Sequence, residues 1–510
     1  MMHPIKTVVI VGGGTAGWIT AGVLAAKHRG EGQDKLSIRL IESPNVPIIG
    51  VGEGTWPTMR ATLRTIGVRE EDFVRECDAA FKQGSKFCGW VDGSDTDHYY
   101  HPFELPQGFF DTNLASHWLE RDRGLSFSQA VCAQEYVCEQ SLAPKLPLTP
   151  EYAGTTNYGY HLNAGRFSEF LKAHCTAKLG VELVLDDVTS VQAAANGDIA
   201  AVITKEHGAI TGDLFIDCTG FRSLLLGEHY GVKRRSVGDT LFADTALAVQ
   251  VPYTDDQLIG SQTNSTAQDA GWIWDIGLSS RRGVGHVFSS AHTTEDEASE
   301  ALMAYVAKTG GDTRNLSPRK IALNAGYRDE FWRNNCVAVG LSAGFLEPLE
   351  ASAIVLVELS AKMIADQLPA TRDAMDVVAQ RFNAKFHYRW ERIIEFLKLH
   401  YLLSRRADTP FWRDNRESSS IPTSLKDNLR LWAEQPPWQF DFDHQDEVFP
   451  AASYQYVLYG MGFRTKPSPR GLPDVERRSA EVHFSKVAGM ARSLVEKLPS
   501  HKDYLMAVSN

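Results

Sequence analysis

The amino-acid sequence predicts an α/β fold followed by a mostly helical C-terminal region. The apolar run TVVIV (Thr7–Val11) is typical of a buried strand, and the apolar segment ITAGVLAAK (Ile19–Lys27), which begins one residue after GGGTAGW, is typical of a helix. LSIRLIES (Leu36–Ser43) predicts a second strand and completes a βαβ unit. From about Asp373 to Ser404 apolar residues recur at helical spacing, which predicts a helical last third.

The glycines between the first strand and the first helix have the spacing of a dinucleotide-binding turn. Gly12 permits the turn, Gly14 lets a phosphate approach the backbone, and Gly17 lets helix and strand pack closely. The backbone of Thr15 and Ala16 completes this cradle at the helix N-terminus, where N–H groups favour an anion. Glu42 ends the second strand 25 residues after Gly17 and is expected to accept hydrogen bonds from a ribose.

The cofactor expected in this Rossmann-type domain is FAD, although NAD shares the glycine fingerprint. DLFIDCTG (Asp213–Gly220) predicts a buried strand that ends in an acid and a glycine and returns to the nucleotide site. Residues 335–368 predict a strand, a glycine turn and a long helix whose N-terminus faces the flavin. No second G-x-G-x-x-G follows a strand, so we expect FAD to be reduced elsewhere. The predicted domain is of the glutathione-reductase/aromatic-hydroxylase-like type.

Length and composition indicate the domain organisation and exclude several classes of function. A chain of 510 residues is long enough for two lobes, predicted here as an FAD-binding module (1–370, with an irregular insertion at about 89–156) and a mostly helical substrate-side region (371–510). The net charge of −11 argues against a nucleic-acid partner. The seven cysteines form no C-x-x-C pair, which argues against a metal site or disulfide framework and favours a cytoplasmic location. The apolar N-terminal run is too short for a membrane span or signal peptide.

Other segments carry local predictions. After the loop IIGVGEGTWPT (Ile48–Thr58), helical sequence is expected to about Lys86. RFSEFLKAHCTAKLG (Arg166–Gly180) predicts an amphipathic helix. VELVLDDVTSVQ is expected to pair as strands with IAAVIT (Ile199–Thr204).

Several motifs together resemble the flavin-dependent halogenases of the tryptophan halogenase type, over nearly the whole chain. Besides GGGTAGW they are GVGEGTWPT (Gly50–Thr58), AAFKQGSKF (Ala79–Phe87), HPF (His101–Phe103), GWIWDIGL (Gly271–Leu278), FLEPLEASAI (Phe345–Ile354) and LKLHYLLSRR (Leu397–Arg406). The family pattern W-x-W-x-I-P is matched by Trp272, Trp274 and Ile276. Gly277 stands where the family has proline. The two tryptophans are expected on one face of a strand.

The resemblance implies an FADH2-dependent halogenase that makes hypohalous acid from O2 and chloride or bromide. Lys82 matches the lysine that receives the oxidised halogen, with Lys86 as its rival one helical turn on. Glu350 matches the second catalytic residue, which polarises the halogenating species or takes the proton lost from the ring. The backbone of Ser352 and Ala353 matches the halide site. Flavin contacts are implied at Val188, Leu341 and Ile354.

The resemblance also implies the substrate class and partners. His101 and Phe103 match the residues that sandwich the substrate ring. In SYQYVLYGMGF (Ser453–Phe463), Gln455 replaces the second tyrosine, and Met461 the glutamate, that grip free tryptophan. A neutral aromatic such as indole is therefore expected. A separate flavin reductase is expected, and a homodimer is left open. The alternatives are an FAD-dependent aromatic monooxygenase (hydroxylase) and a non-catalytic flavin-binding protein.

Overall fold

The computed structural model describes residues 4–30, 36–46, 52–121, 124–254 and 256–509. Part of the predicted loop at 48–58 therefore lies outside the described residues. The chain divides into two units, each built from three segments. The first unit comprises Met1–Ala79, Leu162–Val237 and Asn324–Trp390, and the second comprises Ala80–His161, Gly238–Leu323 and Glu391–Asn510.

The strands and helices in the described ranges are numbered in chain order. The strands are β1 Thr7–Val11, β2 Ser37–Glu42, β3 Gly52–Gly54, β4 Ala80–Lys82, β5 Gly84–Cys88, β6 His98–Pro102, β7 Gly159–Asn163, β8 Glu182–Leu185, β9 Val188–Ala193, β10 Ile199–Thr204, β11 Gly208–Thr211, β12 Leu214–Asp217, β13 Arg234–Ser236, β14 Thr245–Pro252, β15 Thr263–Gln268, β16 Gly271–Gly277, β17 Arg281–Phe288, β18 Arg319–Ala322, β19 Gly326–Arg328, β20 Trp332–Arg333, β21 Cys336–Ala338 and β22 Gly344–Phe345. The α-helices are α1 Thr15–Lys27, α2 Thr58–Ile66, α3 Glu70–Glu76, α4 Leu114–Glu120, α5 Phe127–Val131, α6 Gln134–Glu139, α7 Ala164–Leu179, α8 Glu295–Lys308, α9 Ser352–Asp366, α10 Arg372–Leu402, α11 Pro410–Asp414, α12 Thr423–Glu434, α13 Ala451–Gly460, α14 Asp474–Lys497 and α15 His501–Ser509.

The first unit contains the predicted Rossmann-type sheet. Its strand order is β20-β21-β12-β1-β2-β8, and all neighbours are parallel except β20 and β21. The strand β1 is buried along four of its five residues, as a central strand of a parallel sheet requires. Helix α1 packs against α7 and α9. The fold class predicted from the sequence is thereby confirmed.

A second sheet of seven strands, in the order β18-β14-β17-β16-β15-β5-β6, organises the second unit. Helix α8 covers part of it through a cluster that includes Val249, Ile273, Val284, Leu302 and Val306. The predicted strand at GWIWDIGL is confirmed as β16, which pairs with β15 and β17. The C-terminal third is mostly helical, as expected.

One feature differs from the sequence-based expectations. The helix predicted to continue to Lys86 is wrong, because residues 80–88 form β4 and β5 and find hydrogen-bonding partners in β7, β15 and β6. The region 89–156 contains β6 and three short helices, α4 to α6, among its turns. The two units interleave along the chain, because segments distant in sequence pair within one sheet, as β5 does with β15.

The described residues contain other informative features. Seven cysteines are present, and all are free. In the described ranges no group of His, Cys, Asp and Glu is arranged to hold a metal ion. None of the helices in these ranges combines the length and hydropathy needed to cross a bilayer.

Candidate active site

The glycine turn lies at the carboxyl ends of β1, β2 and β12. Gly12 has a φ of +115°, and a Cβ there would lie 2.2 Å from the carbonyl oxygen of Cys218. A Cβ on Gly17 would lie 2.0 Å from the carbonyl oxygen of Gly12. A Cβ on Gly14 would meet no atom within 4 Å, so the space above it is open. The loop thus has the position in the sheet at which dinucleotide-binding folds hold a pyrophosphate.

Helix α1 begins next to this open space. Its N-cap is Gly14, and no side chain caps it, so N–H groups of the first turn are available to an anion. The Thr15 hydroxyl lies 2.9 Å from the Ser168 hydroxyl. A Cβ on Gly340, which has a φ of +74°, would lie 2.7 Å from the Cβ of Ala16. The turn Gly340–Ser342 therefore packs against the first turn of α1.

Glu42 is held in place by two residues that sequence reasoning missed. The Lys172 ammonium donates to its Oε1 at 2.9 Å, and the indole N–H of Trp18 donates to its Oε2 at 3.1 Å. A Cβ on Gly13 would lie 2.2 Å from Oε2. The carboxylate thus adjoins the glycine turn, and each oxygen keeps capacity for a further hydrogen bond, such as one from a ribose hydroxyl.

The three predicted flavin contacts belong to the same unit. Val188 opens β9, two residues after Asp186, whose N–H donates to the Glu42 carbonyl at 3.0 Å. Leu341 lies in the turn that contacts Ala16. Ile354 is buried in the first turn of α9. The donors and open space of this unit fit FAD.

The predicted halide site forms an unusual turn. Glu350 and Ala351 are consecutive non-glycine residues with positive φ values of 64° and 54°. Ala351 is the N-cap of α9, no side chain caps this helix, and Ser352 and Ala353 are its first two residues. The indole N–H of Trp56 donates to the Glu350 carbonyl at 2.8 Å. The Glu350 side chain is buried.

The predicted lysine lies in the second unit on a strand, not on a helix. Lys82 ends β4 and is only 1% exposed. Its Nζ lies 5.2 Å from the centroid of the Phe103 ring. Burial, together with the nearby Lys82 charge, lowers the pKa of His161 well below its ordinary value. The prediction of a helical turn between Lys82 and Lys86 is wrong, since Lys86 lies on β5 and pairs with Glu139 at 2.5 Å.

The two predicted ring-binding residues have different partners. The Nε2 of His101 lies 3.0 Å from the Ser453 hydroxyl, and the ring is buried. The Phe103 N–H donates to the side-chain oxygen of Gln134 at 2.8 Å, and Asn157 donates to the Phe103 carbonyl at 2.9 Å. No sequence signal pointed to Gln134 or Asn157. Lys82 and Phe103 come together because Phe103 follows β6, the partner of β5.

Helix α13 carries the residues expected to replace the tryptophan-gripping group. The Gln455 side chain donates to the Pro437 carbonyl at 2.8 Å and to the Asn113 side chain at 3.1 Å. Met461 follows the helix and is 2% exposed. Within this chain, the amide of Gln455 is therefore already engaged by protein groups.

The two tryptophans of β16 differ in environment. Trp272 is fully buried, with its ring centroid 6.3 Å from that of Trp90. Trp274 is half-buried and lies over Gly285 of β17, where a Cβ would come within 2.1 Å of the indole. At Gly277, where the family pattern has proline, a Cβ would lie 2.9 Å from the Tyr253 hydroxyl. The Tyr253 side chain therefore occupies the space beside Gly277.

Comparisons with known proteins identify the family of this chain. The tryptophan halogenase family model matches residues 7–475. A tryptophan 6-halogenase of Streptomyces toxytricini is 34% identical, with 98% of each chain covered. A crystal structure of a tryptophan halogenase from Shewanella frigidimarina is 49% identical with a TM-score of 0.96, covering 99% of this chain and 98% of that one. A flavin-dependent halogenase from Brevundimonas is 31% identical with a TM-score of 0.86, and 99% of each chain is covered. The chain belongs to the tryptophan halogenase family.

Proposed function

We propose that this protein is an FADH2-dependent halogenase that forms hypohalous acid from a halide and O2 and halogenates an electron-rich aromatic ring such as indole. The observation that carries the proposal is the buried Lys82 beside the Phe103 ring. A buried amine next to an aromatic face suits transfer of an electrophile to a stacked substrate. The family match supports the halogenase class.

FAD, bound as FADH2, would supply the activation of O2 that oxidises the halide. The turn Gly12–Gly17 would hold its pyrophosphate and Glu42 its ribose. Val188, Leu341 and Ile354 would flank the flavin. The N–H groups of Ser352 and Ala353 would hold chloride or bromide, because an uncapped helix N-terminus offers unpaired donors and a favourable dipole.

Lys82 would receive the oxidised halogen and deliver it to the ring. Its neutral amine and hypohalous acid would form an N–halogen bond and release water. The ring would then take the halogen as the N–halogen bond breaks, and the nitrogen would take up a proton to restore the amine. A hydrogen bond from the ammonium to hypohalous acid is the non-covalent alternative. In either case, burial of Lys82 limits the competing loss of the reagent to bulk water.

Glu350 would act as the base that takes the proton lost from the ring. Electrophilic substitution on an aromatic ring ends with loss of that proton, and a positioned carboxylate is a suitable acceptor. The two roles differ in timing, because Lys82 acts before the carbon–halogen bond forms and Glu350 acts after it.

The substrate is proposed to be a neutral aromatic compound. His101 and Phe103 would hold the ring, whereas the positions matched to the ammonium-binding group carry Gln455 and Met461. A buried ammonium without an anionic partner is costly. The relatives named for tryptophan make that amino acid the alternative substrate.

A separate flavin reductase would provide the FADH2. The chain contains one glycine fingerprint for a dinucleotide, at Gly12–Gly17, and no second one follows a strand. The cytoplasmic location and a homodimer stay predictions.

The proposal is tested with the purified protein, a flavin reductase, NADH, FAD, O2 and bromide. Indole, phenol and tryptophan serve as substrates, and mass spectrometry detects bromine isotope patterns. Brominated indole that depends on every component is the expected result. An oxygenated product without halogen would favour the monooxygenase, and tight FAD binding with no oxidised halide would favour a flavin-binding protein.

A further inference from the structure

The turn before α9 stores backbone strain at a defined place. Glu350 has φ 64° and ψ 7°, and Ala351 has φ 54° and ψ 45°. Two consecutive residues with a Cβ in the left-handed region are costly, and they persist only where surrounding contacts hold them. Neither residue is a glycine, so the sequence offers no intrinsic preference for this turn.

The strained turn determines where the first N–H groups of α9 are aimed. Ala351 is the N-cap, and no side chain accepts a hydrogen bond there. A relaxed backbone at Glu350 or Ala351 would rotate the peptide planes that lead into Ser352 and Ala353. The direction of the proposed halide donors therefore depends on this turn.

One side chain outside the turn holds it directly. The indole N–H of Trp56 donates to the Glu350 carbonyl at 2.8 Å. A second restraint is the hydrogen bond from the Ala351 N–H to the Pro348 carbonyl, at 2.9 Å. Trp56 thus fixes the orientation of one peptide plane within the left-handed pair.

Trp56 is itself anchored to α9. Helix α2 begins two residues later at Thr58, whose hydroxyl donates to the buried carboxyl group of Glu358 at 3.0 Å. The hydroxyl of Thr62 donates to the other oxygen of Glu358. The segment that carries the indole is therefore fastened to the helix whose N-terminus it orients.

We propose that Trp56 is a positioning residue that holds the Glu350–Ala351 turn in its left-handed conformation and thereby sets halide affinity. The inference rests on the proposed function, because that function assigns the halide to Ser352 and Ala353. Trp56 acts through the carbonyl of Glu350. Its contribution is the indole N–H, distinct from the packing of the ring.

The test compares Trp56→Phe, which keeps an aromatic ring and removes the donor, with replacement of Trp56 by benzothienylalanine, in which sulfur replaces the N–H. Trp332→Phe is the matched control, because the indole of Trp332 also donates to a backbone carbonyl, that of Asn334 at 3.1 Å, away from the turn. Chloride binding is measured on the FAD-free protein by chlorine-35 NMR line broadening. FAD affinity, halide KM and kcat are measured separately.

Both changes at Trp56 are expected to weaken chloride binding and raise the halide KM about tenfold, the effect of one hydrogen bond of ordinary strength. FAD affinity and kcat at saturating halide should stay near the parent values. Trp332→Phe should leave chloride binding unchanged. A benzothienylalanine protein that binds chloride like the parent, or a parent protein without specific chloride broadening, would overturn the inference.

The chloride measurement separates this inference from the proposed function. Trp56-dependent chloride binding in a protein that halogenates no substrate would support the inference while contradicting the function. Halogenation with a halide KM that neither replacement of Trp56 changes would support the proposed function and contradict the inference. If Trp56→Phe does not fold, the isosteric replacement still decides the question.

Discussion

The side-chain nitrogen of Lys82 lies 5.2 Å from the centroid of the Phe103 ring, at the end of a buried strand. At this distance the ammonium lies within cation–π range of the ring. Lys82 belongs to the second unit, whereas the turn Gly12–Gly17 belongs to the first.

Replacement of Lys82 by Met should abolish halogenated product while preserving FAD binding and O2 consumption. The substitution removes the amine and keeps an unbranched side chain in the buried position. Product by mass spectrometry, O2 uptake and FAD titration measure the three quantities. Lys86→Met is the control, since Lys86 pairs with Glu139. Near-parent halogenation by Lys82→Met would remove the proposed role.

Glu350→Gln should lower kcat for halogenation about 100-fold, the contribution typical of a positioned base. Gln matches the size of Glu, so the turn and the bond from Trp56 to the residue 350 carbonyl should persist. Halide KM should therefore change little. Steady-state kinetics over a bromide series check both values, and an unchanged kcat would exclude Glu350 as the base.

Indole should have a higher kcat/KM than tryptophan, because Gln455 and Met461 offer no anion to the substrate ammonium. Free indole lacks a side chain that fixes its pose, so halogen should enter at C3, its most reactive carbon. Kinetics under identical reductase supply and NMR of the products test both points. Clean benzo-ring halogenation of tryptophan would show that another group binds its ammonium.

Gly285→Ala should displace the Trp274 indole, because a Cβ would come within 2.1 Å of that ring. Overpacking of this kind costs about 1–3 kcal/mol. The free energy of unfolding and the near-UV circular dichroism of the Trp272–Trp274 pair report the change. Gly260→Ala is the control, because the first atom that its Cβ would meet is 3.9 Å away. An unaltered spectrum would mean that the Trp274 indole does not pack against Gly285.

Glu358→Gln should stabilise the protein at pH 8 and leave it nearly unchanged at pH 4.5. Burial raises the pKa of Glu358 from 4.5 to about 7, although Thr62 and Thr58 donate to it. Between pH 4.5 and about pH 7 the folded protein keeps a proton on Glu358 that the unfolded chain has released. The free energy of unfolding therefore falls as pH rises. Above pH 7 the free energy of unfolding of the parent protein is lower by about 3 kcal/mol.

Denaturant titrations across this pH range measure the difference between the parent and the Gln variant. Burial also raises the pKa of Glu135 to about 7. The parent and the Gln variant should therefore share the part of the pH dependence that comes from Glu135. A Gln variant with the pH profile of the parent would contradict the assignment to Glu358.

The sequence by itself determined the glycine turn that follows β1. The strand β1, the turn Gly12–Gly17 and helix α1 are contiguous, so the spacing of three glycines and the apolar flanks specify their geometry through local backbone constraints. Glu42 was also predictable, because its position follows from one βαβ unit. The family motifs identified Lys82, Glu350, His101 and Phe103 as residues to examine, and their functional roles stay predictions.

The tertiary structure decided how those residues are placed. Residues 80–88 form strands because β7, β15 and β6 supply hydrogen-bonding partners, which a local segment cannot encode. The same pairing of β5 with β6 brings Phe103 to Lys82. Lys172, Trp18 and Trp56 acquire their contacts through packing between distant segments. Spacing in the chain fixes neighbours along one element, whereas contacts between elements depend on which strands and helices pair in the folded chain.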